Sequence, residues 1–339
     1  MIPEAGGTPF DDMRRLIAMM PAPDEAAAAA VRERERNLTK PAGSLGRLEW
    51  LVEWLAAWQG RAPPTVERPL VAVFAASHGV AARGVSAYPP EVKRQMLENF
   101  AAGGAAINQI CASFNFGFKV FDLALDVPTA DIVADAAMDE RSCVATMAFG
   151  MEAVAGGTDL LAVGEMGIGN TTVAAAIYAA LYGGAPEAWV GRGTGVDDAG
   201  FARKRTAVAA AIDRTSSLSD PIEIMREAGG TELTAIAAAT VAARLRSIPV
   251  VLDGYVVTSA VLPLHVAAPG ALDHCIVGHC SAEPGHRRVL DAIGKPALLD
   301  LGMRLGEGSG AMVAVPIVRA ACDAVVEVAT FTEWFGQGE

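Results

Sequence analysis

The chain has 339 residues, 52% of them hydrophobic and only 19% charged, with 27 basic against 39 acidic side chains and a formal charge of −12. Such an apolar, weakly charged composition excludes a disordered chain, and the acidic excess argues against nucleic acid or an anionic membrane surface as partner. An anionic small substrate stays open, because one cationic or N–H-rich pocket would serve it; the length suits a large α/β domain with a small helical accessory.

From the N-terminus, residues 1–7 show no basic stretch leading into an apolar core, so no signal peptide is expected. Asp24 is placed to cap a helix that runs through an alanine stretch into alternating charges ending at Arg36. The segment Lys40-Pro-Ala-Gly-Ser-Leu-Gly-Arg-Leu-Glu49 then turns into a second helix, with Ser44 as expected N-cap and Leu45, Leu48, Leu51, Val52 and Leu55 at helical spacing. Arg61-Ala-Pro-Pro64 is a breaker. The division read from this is a helical part of a small domain over 1–64, a Rossmann-like catalytic domain over 65–330 and a tail over 331–339.

Beyond the breaker, short apolar runs alternate with alanine-rich helical stretches. Strands are expected at 70–75, 118–124, 160–163, 248–252, 274–277 and 297–301. Helices are expected near 90–111, 140–154, 171–181, 200–213, 232–246, 283–293 and 311–329. Most of the strand runs are continuously apolar, the pattern of parallel strands covered on both faces. The fold class is therefore α/β, an open, mostly parallel Rossmann-like sheet with helices on both faces. The uncharged stretches 166–186 and 254–272 are broken by Gly, Thr, Ser, His and Pro, so neither reads as a membrane span. The five cysteines, Cys111, Cys143, Cys275, Cys280 and Cys322, are odd in number and scattered, which fits reduced, buried thiols in a cytoplasm.

In open α/β sheets ligands bind outside the carboxyl ends of the strands, and the chain's Gly and uncharged polar residues gather at those junctions. Gly164-Glu-Met-Gly-Ile-Gly-Asn-Thr-Thr172 has three glycines in six residues and opens a helix, a shape that lets backbone N–H groups meet a phosphate or simply makes a tight turn. It is no Walker A loop, and Ala75-Ala-Ser-His-Gly-Val80 is no dinucleotide fingerprint, which sets a nicotinamide dehydrogenase aside. A second turn, Val190-Gly-Arg-Gly-Thr-Gly195, includes Gly193 and precedes Lys204, which serves either as a phosphate counter-charge or as part of a solvated charge run. Glu307, between glycines in Leu305-Gly-Glu-Gly-Ser-Gly310, is either a buried general base or a helix-dipole acid, and Glu165 poses the same choice. His78 and His279, at strand ends, are expected to line a pocket, and His265 to sit in the core. The spacing in His274-Cys-Ile-Val-Gly-His-Cys280 does not match a zinc knuckle, and no metal is expected.

Six blocks in order, 40–49, 77–80, 164–172, 252–254, 279–283 and 303–311, resemble the nicotinate-nucleotide:dimethylbenzimidazole phosphoribosyltransferase family of cobalamin nucleotide-loop assembly. The resemblance implies a homodimer that takes nicotinate mononucleotide and 5,6-dimethylbenzimidazole to α-ribazole 5′-phosphate and nicotinate, with no cofactor. It implies Glu307 as general base with Glu165 beside it. It implies a phosphate and ribose subsite from Gly164, Gly167, Gly169, Asn170, Thr171, Gly193 and Lys204. It also implies a base pocket drawn from Ser77, His78, Tyr88, Met96, Met303 and Leu305. Here Tyr88 and Met96 stand where the best-studied members carry Ser and Gln.

Overall fold

Five of the six apolar runs form strands: β1 (Pro69–Ser77), β2 (Gly117–Asp122), β3 (Leu160–Ile168), β4 (Val250–Leu252) and β5 (Cys275–Val277). The structure, a computed structural model, describes residues 9–336, so the signal-peptide reading at 1–7 and the end of the 331–339 tail lie outside the described residues. All strand pairs are parallel and the order is β2-β1-β3-β4-β5. The period-two alternation of side chains divides the sheet between two cores. Ala72, Phe74, Leu161, Val163, Val250 and Leu252 face one, and Val71, Val73, Leu160, Ala162, Val251 and Ile276 face the other.

The first core is closed by alanine-rich helices that lie close to the sheet. The helix Thr231–Leu245 is buried on nearly every side, which small side chains make possible. The second core takes the helices Glu25–Arg36, Arg47–Gln59, Ala106–Phe114 and Ser309–Glu327. Ser309–Glu327 is long and apolar enough to cross a membrane, yet most of it is buried within this core. Asp24 caps its helix as expected, accepting the Ala27 N–H at 2.9 Å.

Several expectations need correction. Residues 297–301 form no strand; pairing ends after the bridge between His279 and Leu299, where the chain is only half-buried and turns at Gly302. The expected helix 90–111 is two, Val92–Ala101 and Ala106–Phe114, divided where Gly103 takes φ +77°. Ser44 does not cap; Gly46, at φ +55°, precedes the helix Arg47–Gln59. The structure adds helices Pro9–Ala18, Pro221–Ala228 and Tyr255–Ala267, the last of them holding a proline and two hydroxyl residues that mask its periodicity. His265 lies in that helix's last turn, partly exposed rather than in the core.

One difference matters for function. β3 runs five residues past its expected end, so Gly164, Glu165 and Gly167 are strand residues and only Gly169 is turn. Its extension pairs with the end of β1, from Val73 opposite Gly164 to Ser77 opposite Ile168. β2 lies on one side of β1, and the chain then crosses to β3 on the other, so the sheet's topological switch point lies beside this extension.

Candidate active site

The extended end of β3 is covered by the loop before the helix Ser309–Glu327, and glycines allow the two backbones to touch. A Cβ on Gly164 would lie 2.6 Å from the Gly308 Cα. Gly306, Glu307 and Gly308 take φ of +87°, +63° and +73°. For Glu307 that left-handed backbone costs about 1–2 kcal/mol. The turn is held by the Glu307 N–H, which donates to the Glu165 carbonyl at 3.1 Å. Asp253, just after β4, accepts the Gly308 N–H at 3.1 Å and the Ala311 N–H at 2.9 Å, and so caps a helix whose own N-cap is a glycine. Gly164→Ala should therefore displace the Glu307 turn and lower Tm. A wild-type Tm in that variant would show that the two backbones need not touch.

The carboxyls here are pushed toward their neutral forms. Burial, with the charge of Asp253, raises Glu307 to about 7, slightly opposed by the Ile107 N–H. Its Oε2 has no hydrogen-bond partner. Burial raises Glu165 well above the usual carboxylate range, reinforced by Glu232, Asp253 and Glu307 and opposed by the Asn170 side chain, which donates to Glu165 Oε2. His279 Nε2 lies 3.4 Å from Asp253. Burial alone would lower that imidazole, but the bond to Asp253 and its charge, with the Cys280 backbone and Asp300, together outweigh burial and raise its affinity for a proton. A cluster of buried acids in one cavity wall favours a ligand that carries or develops positive charge.

The other end of the cavity is built for the opposite charge. Gly169, at φ +92°, follows β3 and leaves the first turn of the helix Asn170–Tyr182 uncapped by any side chain, with the Thr172 N–H donating to the Gly169 carbonyl at 3.0 Å. The fully buried Lys204 donates from Nζ to Thr171 Oγ1 and to the Gly191 carbonyl, each at 2.9 Å. Burial lowers this ammonium to about 8, opposed by Glu283. Arg304 donates to the Gly193 carbonyl at 2.8 Å.

These parts surround one cavity of about 610 Å³. Of the expected site residues, Glu307, Glu165, Gly167, Gly169, Asn170, Thr171, Gly193, Lys204, Tyr88, Met96 and Leu305 lie in its wall. Gly164, Ser77, His78 and Met303 do not. Gly164 lies beneath the Glu307 turn. Ser77 Oγ donates to the Leu125 carbonyl at 2.7 Å, and His78 Nε2 is 2.6 Å from Glu232 Oε1, both side chains of that pair fully buried. Among the described residues no group of His, Cys, Asp and Glu side chains is arranged to hold a metal ion. Arg192, Asp253, Glu283 and Arg304 also line the cavity. Three of them stood inside or beside the quoted blocks, and only their uncertain direction hid them.

Comparison with known proteins agrees across most of the chain. A family profile described as phosphoribosyltransferase matches residues 20–334. The nicotinate-nucleotide–dimethylbenzimidazole phosphoribosyltransferases of Brucella anthropi and Sinorhizobium fredii are each 58% identical over 330 residues, 97% of both chains. Among solved structures, CobT from Thermus thermophilus superposes with a TM-score of 0.85 at 46% identity, covering 91% of this chain and 98% of that one. A second structure from that organism, of a nicotinate-nucleotide–dimethylbenzimidazole phosphoribosyltransferase, matches with a TM-score of 0.85 at 43% identity, over 93% and 99% of the two chains. The chain belongs to the nicotinate-nucleotide–dimethylbenzimidazole phosphoribosyltransferase family.

Proposed function

We propose that Glu307 is the general base of phosphoribosyl transfer from nicotinate mononucleotide to dimethylbenzimidazole, and that Lys204 with the Gly169 and Gly193 turns holds the phosphate. The reaction is the family's, and it serves cobalamin biosynthesis. The nicotinate ring leaves as a neutral pyridine nitrogen and needs no acid. The incoming benzimidazole attacks C1′ with one nitrogen and must lose the proton on the other. Glu307 takes that proton through its unpartnered Oε2. As positive charge develops at C1′ it draws the neighbouring acids, Glu165 among them, toward their charged forms, which then stabilise it. Attack from the face opposite nicotinate inverts C1′ and gives the α-nucleotide. Phosphate anchoring at Lys204 fixes the ribose for that attack.

Tyr88 and Met96 form the apolar side of the base subsite. The enzyme works as a cytoplasmic homodimer, a reading supported by five unpaired, buried thiols and by the exposed aromatic patch of Phe331, Trp334 and Phe335.

The observation that carries the assignment is a carboxyl held near neutrality in the wall of a cavity that also holds a buried ammonium. Mixing the protein with nicotinate mononucleotide and dimethylbenzimidazole should release nicotinate and α-ribazole 5′-phosphate in equal amounts by mass spectrometry. No nicotinate release, or release that ignores the base, would overturn it.

A further inference from the structure

The Gly191–Gly193 turn is gripped from two sides, and one grip is an acid. Lys204 Nζ holds the Gly191 carbonyl at 2.9 Å. From the other side Glu283 Oε1 accepts the Gly193 N–H at 2.8 Å. Gly191 leaves no room for a side chain, since its Cβ would lie 2.6 Å from the Glu283 Cδ. Glu283 is only 6% exposed and lines the cavity. Its Oε2 is buried with no hydrogen-bond partner.

An ionised carboxylate here conflicts with an arriving phosphate, because it repels the dianion and occupies an N–H that would otherwise face it. A proton removes the conflict. Neutral Glu283 keeps Oε1 as acceptor for Gly193 and turns the unpartnered Oε2, beside Gly191, into an O–H donor available to a ligand oxygen. We propose that Glu283 takes up a proton from solvent as phosphate binds and donates it in a hydrogen bond from Oε2 to a phosphate oxygen, making phosphate binding by this enzyme proton-linked. This rests on the reading of Lys204 and the Gly193 turn as the phosphate cradle. One O–H bond forms, the proton comes from the buffer, and nothing is oxidised or reduced.

The surroundings favour this change at Glu283. Burial raises its carboxyl, opposed by Lys204, the Gly193 N–H and Arg304. His286, on the same helix, is pushed by burial down to about 3 and accepts the Ser281 N–H, so it stays neutral. Tyr255, from the helix after β4, has its proton fixed on the Trp189 carbonyl at 2.7 Å. Arg192, also in the cavity wall, is paired with Asp198 at 2.5 Å. An incoming dianion removes the net advantage that Lys204 and Arg304 give the charged form, and the neutral acid results.

The test is calorimetric titration of ribose 5-phosphate into the enzyme at about pH 6.5, in buffers of different ionisation enthalpy. At that pH Lys204 is charged before and after binding, and the sugar phosphate's own titration is common to every protein compared. Wild type should take up more protons than Glu283→Gln, by as much as about one per ligand. In wild type, the infrared difference spectrum on binding should gain a protonated-carboxyl band that Glu283→Gln lacks. Equal uptake in the two proteins, or no new band in wild type, overturns the proposal while the cradle stands. Undiminished binding of ribose 5-phosphate to Lys204→Ala overturns the cradle and the proposal with it.

Discussion

Glu307→Gln should fold and lose about 10²- to 10⁴-fold in turnover, the usual worth of a positioned general base. The amide keeps the shape of the side chain and leaves the backbone bond from the Glu307 N–H to Glu165 untouched. What it loses is the ability to accept the benzimidazole proton. The pH profile provides the second reading. The base works as carboxylate, so kcat/KM of wild type should rise with pH to a bend at about 7, where burial has placed this group. Stability should move in the opposite sense. The folded-state pKa is raised from 4.5 to about 7, so the native protein loses stability as pH climbs between those values. Glutamine is free of that penalty, and the variant should melt at or above the wild-type Tm at about pH 8. Normal turnover in the variant would remove Glu307 from the base role; a large fall in Tm would make the lost activity a folding effect.

The fold class was legible because its cause is simple. Strands covered on both faces must be apolar at every position, and 70–75 and 160–163 advertise that directly. The sheet's reach was not legible. β3 continues through Gly164, Glu165 and Gly167, residues that argue against a strand by propensity, and it does so because β1 supplies partners as far as Ser77. Tertiary pairing overrode local preference there. The same cause explains the site. Glycine clusters mark the edge of the sheet where the cavity opens, and Glu307, Asn170 and Lys204 fall in its wall. Direction was not readable one residue at a time: His78 turns under the sheet edge to meet Glu232, 154 positions away, while Glu283 and Arg304 turn into the cavity. The resemblance implies Gly164 as a phosphate and ribose residue; in the structure it lies beneath the Glu307 turn, where its missing side chain lets that turn close onto β3.

Lys204→Ala should raise KM for nicotinate mononucleotide by roughly 10- to 100-fold, as expected for one lost charge-assisted hydrogen bond in a dry site. The phosphate takes no part in bond breaking, so kcat should fall less than kcat/KM. Nicotinate riboside, which has no phosphate, makes the argument specific. Wild type and Lys204→Ala should use it almost equally, whereas a merely structural lysine would damage both substrates alike. The ammonium also titrates in a useful range. Burial sets it at about 8, so the free enzyme loses this cation as pH rises past that value. kcat/KM should then fall on the alkaline side, and with Glu307 controlling the acid side the optimum is confined between about 7 and 8. Bound phosphate holds the ammonium charged, so kcat should lack the alkaline fall. In Lys204→Ala the fall should vanish from kcat/KM as well. An alkaline limb that survives the substitution would assign it to another group and leave Lys204 without a phosphate to hold.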